Sequence, residues 1–423
     1  MFMLAFLLGV LLMIGVRYLD RSSYRTHHER AAAFDLNDPL RASFHAVLEN
    51  VDQVGLRYPG FIIGVEKVDT TLLVDAPRYE HLKGLGEDRR FKSTITDLND
   101  RGVLFPTHLV EYSSTLQPFP HITNSVSYSM YEADVGSDDI AVKTAYKRGI
   151  DALTSLSATL IDRVNSENYT HIMLIVVGWN TPQLDAIDDF NGIVGGLIKH
   201  DIDGEFTPLT IGVTWPSLSS ISKAFYLSKA YDADELGDSL LSLLLHELAE
   251  VKHEIPDIGV VAIGHSLGAR ALTTASARYN ALESGYPNPL DTFVGYAAAF
   301  SINRFIGGAG IEGSPYKTLV DTPTRYFYTW SDADLASKAS KLTMTPHING
   351  KRAHAVAVEN PEIFLSLSVS EDGSLIEEFQ RTNKIYHIDA TRLMRYRSHR
   401  YAGGAHSDIF RPASAKFLWS LVQ

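Results

Sequence analysis

The chain has 423 residues, 45% of them hydrophobic and 21% charged, with a formal net charge of −12 and no cysteine. That size and balance suit one large α/β domain with an extension, or two domains. The acidic charge argues against a nucleic-acid partner, and the missing thiols exclude disulfides, cysteine-ligated metals and a cysteine nucleophile.

Met1–Val16 contains no charged side chain, and Arg17, Tyr18 and Leu19 follow it. As a helix, residues 1–19 would extend about 28 Å, close to the thickness of a bilayer core. They are expected to form a transmembrane anchor, which makes the membrane a partner. A cleaved signal peptide is the rival. It would need a basic n-region, which is missing, and the first small-residue string, Ala31–Ala33, lies beyond a charged stretch. Arg17, Arg21, Arg25 and Arg30 follow the apolar run, which would place the body of an anchored protein in the cytoplasm. A signal peptide would make it secreted or periplasmic instead.

Residues 20–140 read as a linker and an N-terminal extension of unknown role. Arg21–Asp38 is polar, and Pro39–Asp52 suits a short helix. Phe61–Val68 and Thr71–Val74 suit strands, as does the alternating Ser125–Tyr131. Ala141–Val164 is amphipathic and is expected to open the main domain, residues 141–423. Within that domain His171–Val177, Leu209–Thr214, Val260–Ile263, Phe293–Phe300, Arg325–Thr329 and Lys384–Asp389 are apolar runs of strand length. Helical stretches such as Leu184–His200 and Ala230–Lys252 separate them. This rhythm predicts an α/β fold with a mostly parallel sheet and helices on both faces.

The third of those strands leads into Gly264-His265-Ser266-Leu267-Gly268 and then into an Ala- and Leu-rich helical stretch. The G-x-S-x-G pattern alone arises about 0.1 times by chance in a chain this long, so the strand–turn–helix context carries the argument. A nucleophilic serine needs a sharp turn that lifts its hydroxyl above the sheet. Gly264 and Gly268 permit the close approach of strand and helix that such an elbow requires. The N–H of Leu267 at the helix start can help hold an oxyanion. Serine also needs a base, and the base an orienting acid, supplied in this fold by loops after later strands in the order Ser, acid, His. Asp332 and Asp334 follow the fifth strand. His399 and His406 follow the sixth, with Gly403-Gly404 giving His406 a loop, whereas His387 lies inside the strand.

These features resemble an α/β-hydrolase family, the bacterial serine esterase/lipase-like proteins of unknown function, over residues 171–423. The family's first strand ends in a His-Gly-Tyr-Asn-type motif, here Val177-Gly178-Trp179-Asn180, and Trp215-Pro216-Ser217 matches a Trp-Pro-Ser tripeptide. The Gly264–Gly268 elbow, the small-residue strand Gly295–Phe300 and the terminal His406-Ser407 match as well. A Tyr-x-x-x-Asp-x-x-Leu motif matches Tyr328, Asp332 and Leu335 and selects Asp332 as the acid. The resemblance implies a catalytic triad of Ser266, Asp332 and His406, an oxyanion hole from the Trp179 and Leu267 amides, and no cofactor or metal. Val177 departs from the family's histidine without removing the backbone donor that follows Gly178.

The function expected is therefore a serine hydrolase cleaving carboxylic esters of small molecules or lipids. An acyltransferase or amidase using the same triad, or a binding protein that kept the fold without turnover, are the alternatives. Arg392, Arg395, Arg397 and Arg400 near His406 suit either a solvated basic loop or contact with an anionic substrate.

Overall fold

In a computed structural model of the chain, the expected strands join others in one ten-stranded sheet among the described residues. The structure describes residues 55–68, 103–115, 121–129, 139–179, 181, 183–217, 226–282, 285–307, 314–320, 322–334, 346–377, 382–395 and 404–423. The expected anchor at residues 1–19, the linker, the helix at 39–52 and the strand at 71–74 lie outside them. No helix among the described residues is long and apolar enough to cross a membrane.

The first three strands are β1 (Gly60–Val68), β2 (Val103–Thr115) and β3 (His121–Ser129). Next come β4 (His171–Val176), β5 (Pro208–Thr214), β6 (Gly259–His265) and β7 (Thr292–Tyr296). The last are β8 (Arg325–Trp330), β9 (Phe364–Ser368) and β10 (Ile385–Asp389). Their order is β3-β2-β1-β5-β4-β6-β7-β8-β10-β9. Every neighbouring pair from β1 to β9 is parallel, and only β1/β2 and β2/β3 are antiparallel. The boundary expected at residue 140 is thus not a break in the sheet. β1–β3 are its edge, and β1 pairs directly with β5 from Gly60↔Thr210 to Gly64↔Thr214.

Alternation along each strand divides the core into two layers. Ile172, Leu174, Val176, Val260 and Ala262 face one side. Met173, Ile175, Val261 and Ile263 face the other, with Phe190 and Val194 of α3 (Gln183–His200) and Phe417 and Leu421 of α8 (Pro412–Val422). The first layer is covered by α6 (Leu267–Ala281), by α1 (Asp139–Thr154) and α2 (Leu156–Glu167), and by α4 (Tyr226–Leu236) and α5 (Ser242–Glu254), with α7 (Lys351–Glu359) beside them.

Two helices expected to be continuous are interrupted. Between α1 and α2 the hydroxyls of Thr154 and Ser155 donate back to the carbonyls of Ile150, Asp151 and Ala152, competing with the helical ladder. Between α4 and α5 a π-helical turn, Gly237–Leu241, takes up one extra residue.

α6, the helix that leaves the elbow, is fixed by polar contacts buried in this core. The hydroxyls of Thr273, Thr274 and Ser276 pair with those of Tyr328 (3.0 Å), Tyr316 (2.8 Å) and Tyr326 (2.7 Å). Arg270 in its first turn donates to Asp234 of α4 at 2.8 Å, and Arg304 shares that carboxylate. Burial opposes the charge on Asp234, but the two guanidiniums hold its carboxyl well below the usual range.

Candidate active site

Ser266 sits between β6 and α6 with φ 55° and ψ −119°, a conformation that L residues rarely adopt. Such strain persists only where the surroundings over-determine it. Here the Ser266 N–H donates to Tyr296 O at 3.0 Å, and the Ser266 carbonyl accepts from Ala299 N–H at 3.2 Å. The flanking glycines are required by contact. A Cβ at Gly264 would lie 2.4 Å from Ala269 Cα, and one at Gly268 2.2 Å from the Val176 carbonyl oxygen. The turn is therefore the strained strand-to-helix elbow expected from the G-x-S-x-G pattern.

The loop after β4 lies against the elbow. A Cβ at Gly178 would be 2.7 Å from Ser266 Cβ and 3.3 Å from its Oγ. The backbone leading to Trp179 thus passes beside Ser266, while Leu267, first residue of α6, has no acceptor within its own helix for its N–H. The end of β5 clamps this loop. The Trp215 indole N–H donates to Val177 O at 2.9 Å. The Ser217 hydroxyl accepts from Thr181 N–H at 3.1 Å and donates to Thr181 O at 2.9 Å. Behind it the Lys229 ammonium, paired with Asp232, donates to Pro216 O at 2.7 Å. The tryptophan of the Trp-Pro-Ser motif is a hydrogen-bond donor as well as a packing group.

His406 lies in a 3₁₀ turn, Gly404–Phe410, after β10. Its Nδ1 is 2.8 Å from a carboxylate oxygen, and that carboxylate belongs to Asp334. Asp332, the acid selected by the Tyr328 register, is not at this position. Residues 331–334 form a turn closed by Asp334 N–H to Ser331 O at 3.3 Å. The turn directs its second residue, Asp332, outward to Lys351, 3.3 Å away on the surface, and its fourth, Asp334, back into the core, where it is fully buried. The aromatic-x-x-x-Asp spacing is preserved two residues later, by Trp330 and Asp334.

Burial disfavours a charged imidazole at His406, but the Asp334 charge and hydrogen bond outweigh it and raise its pKa above the ordinary value. His265, next to Ser266, behaves in the opposite way. Burial and the neighbouring His406 push it down to about 3. Neutral, it donates from Nε2 to the backbone carbonyl of His406 at 2.8 Å, tying the elbow to the His406 loop. Neither this contact nor the Asp334 geometry could be found by motif, because both depend on chain segments more than 70 residues apart.

Of the other residues considered, His387 is a buried strand residue whose Nε2 donates to Ile348 O, and burial lowers its pKa to about 4. His399, Arg397 and Arg400 lie outside the described residues, and Arg395 pairs with Glu371. No group of histidines and carboxylates among the described residues could hold a metal ion.

Comparison with known proteins bears on the fold. Residues 152–282, from α1 to the end of the elbow helix, match the model of a family described as "Alpha/beta hydrolase of unknown function (DUF900)". No curated protein sequence matches the chain. Among solved structures it is similar to a Trichoderma reesei cutinase in complex with a phosphonate inhibitor, with 16% identity over 40% of this chain and 72% of that one, at TM-score 0.20. It is also similar to an acetylxylan esterase, with 11% identity, 60% and 100% coverage and TM-score 0.25. A lipase-esterase related protein from Clostridium acetobutylicum has 11% identity, 60% and 95% coverage and TM-score 0.25. Likenesses this distant carry no chemistry to this chain. The α/β-hydrolase fold rests on the sheet, the elbow and the family match.

Proposed function

We propose that the chain is a serine hydrolase that cleaves carboxylic esters through an acyl-enzyme. The observation that carries this reading is a strained elbow serine whose neighbour His265 holds the backbone of a buried histidine, the Nδ1 of which faces a buried carboxylate. Asp334 holds the Nδ1 proton of His406, leaving Nε2 as the base. Ser266 Oγ attacks the acyl carbon as its proton passes to Nε2, and the carbonyl electron pair moves onto oxygen. The Trp179 and Leu267 amides are the donors for that oxyanion. Collapse expels the alcohol, which takes the proton back from His406. Water then attacks the acyl group by the same route and releases the acid. The raised pKa of His406 suits a group that must accept a proton in the first half of each step and return it in the second.

The test is covalent labelling with a fluorophosphonate together with hydrolysis of esters of graded chain length. The wild-type chain should be labelled and active, and Ser266→Ala should lose both, with a rate loss on the order of 10⁴ or more. Labelling retained in Ser266→Ala would place the nucleophile elsewhere and refute the assignment.

A further inference from the structure

We infer that Asn349 is a positioning residue of the proposed triad: its side-chain amide donates to Asp334 and holds that carboxylate against His406 Nδ1. The inference rests on the serine-hydrolase reading above and adds a residue that no motif in the sequence marks.

Asn349 Nδ2 lies 2.9 Å from Asp334 Oδ2, the same oxygen that accepts from His406 Nδ1 at 2.8 Å. All three side chains are buried, with Asn349 at 1% exposure and Asp334 at 0%. Nδ2 also points at Ala297 O, 3.4 Å away, in the segment that binds the elbow backbone. Facing two acceptors, the amide must present its nitrogen. The residue's backbone is equally constrained. Its carbonyl accepts from Ser331 N–H at 3.2 Å, in the turn that carries Asp334. The preceding Ile348 donates to Phe300 O and accepts from His387 Nε2, both at 2.8 Å. Asn349 is therefore fixed from β7, β8 and β10 at once.

The amide is not there to satisfy itself. Asn349 Oδ1 is buried with no hydrogen-bond partner among the described residues. A leucine has the same branching and would leave no polar atom of its own unpaired. What the amide supplies is a neutral donor on the carboxylate. An N–H aimed at a carboxylate favours its charged form and draws charge away from the hydrogen bond to histidine. Both effects fix the Asp334 oxygen and limit how tightly His406 keeps a proton. Without the donor, the carboxylate is less compensated and binds the His406 proton more strongly, and less of the enzyme carries a free base.

The experiment is the pH dependence of fluorophosphonate labelling and of ester hydrolysis in the full chain for wild type, Asn349→Leu and Asn349→Asp. Wild-type labelling, lost in Ser266→Ala, establishes the hydrolase reading independently, so a wild type that does not label refutes that reading and not merely this one. Given a labelled wild type, Asn349→Leu should move the acid limb of the profile upward by about one pH unit, with a rate loss of about tenfold or more on the plateau. Asn349→Asp is nearly isosteric and separates positioning from packing. While its carboxyl is protonated it donates as the amide does. Two carboxylates at hydrogen-bond distance cannot both ionise freely, and ionisation would set a second charge beside Asp334. Its activity should therefore approach wild type at the acid end and fall as the pH rises, reversing the wild-type trend. Rate losses with the profile unchanged in shape would overturn the inference and reduce Asn349 to packing. So would full activity in Asn349→Leu, or failure of both variants to fold.

Discussion

Replacing each of the two neighbouring aspartates by asparagine separates the role of Asp334 from that of Asp332. In Asp334→Asn the introduced amide faces two donors, His406 Nδ1–H at 2.8 Å and Asn349 Nδ2–H at 2.9 Å, with one acceptor oxygen instead of a carboxylate's two. If its NH₂ turns to His406, the imidazole must carry its proton on Nε2, where it cannot take one from Ser266. If its oxygen turns to His406, the imidazolium formed during attack has no counter-charge in a buried site. Loss of the wrong-tautomer kind lowers turnover on the order of 10⁴-fold, about 5 kcal/mol in the barrier. In Asp332→Asn only a surface pair is lost, between a carboxylate 44% exposed and an ammonium 75% exposed. Such pairs contribute at most about 1 kcal/mol, about fivefold even if all of it reached the transition state. The assay is kcat on a short soluble ester, with circular dichroism to confirm folding. Equal losses, or a larger loss in Asp332→Asn, would refute the assignment of the acid to Asp334.

Three further outcomes are expected. Because His406 must be neutral to act as base and its pKa is raised, the acid limb of kcat/KM should have its midpoint above the ordinary histidine value of about 6.5; a midpoint below that value would contradict the Asp334–His406 pairing. Gly178→Ala places a methyl 2.7 Å from Ser266 Cβ, so the loop must retreat, and kcat should fall on the order of 10²-fold with little change in the unfolding midpoint. If Met1–Leu19 is the membrane anchor its sequence suggests, the full-length chain should stay with membranes through a carbonate wash, and deletion of residues 1–20 should release an active enzyme. A mature protein beginning near residue 20–35 by N-terminal sequencing would make the segment a signal peptide.

What the sequence reveals is what is local. The elbow is legible because strand, turn and helix are contiguous, and the glycines at 264 and 268 are demanded by contacts within that unit and its neighbour β4. The parallel strands are legible because burial on both faces leaves unbroken apolar runs. β2 is not, because Pro106 and His108 interrupt its thirteen residues. β9 is missed because FLSLS is short and half polar. The carboxylate that faces His406 lies two residues beyond the expected one because a turn, not a spacing, decides which aspartate faces inward. His265 and Asn349 leave no signal in the sequence, since each acts on a group 141 or 15 residues away through a contact that exists only in the folded chain.

The clamp between β5 and the loop after β4 limits how this site can be altered. Three bonds join the two strand ends, indole to Val177 O and hydroxyl to both backbone groups of Thr181, and the Lys229 ammonium braces Pro216 O from behind. The loop that carries the proposed Trp179 donor is therefore not a separable module. A graft of residues 177–181 into an α/β-hydrolase would arrive without the partners that set its curvature, and randomising it alone would yield mostly collapsed variants. Productive libraries would have to vary residues 177–181 and 215–217 together, with Lys229 and Asp232 retained behind them.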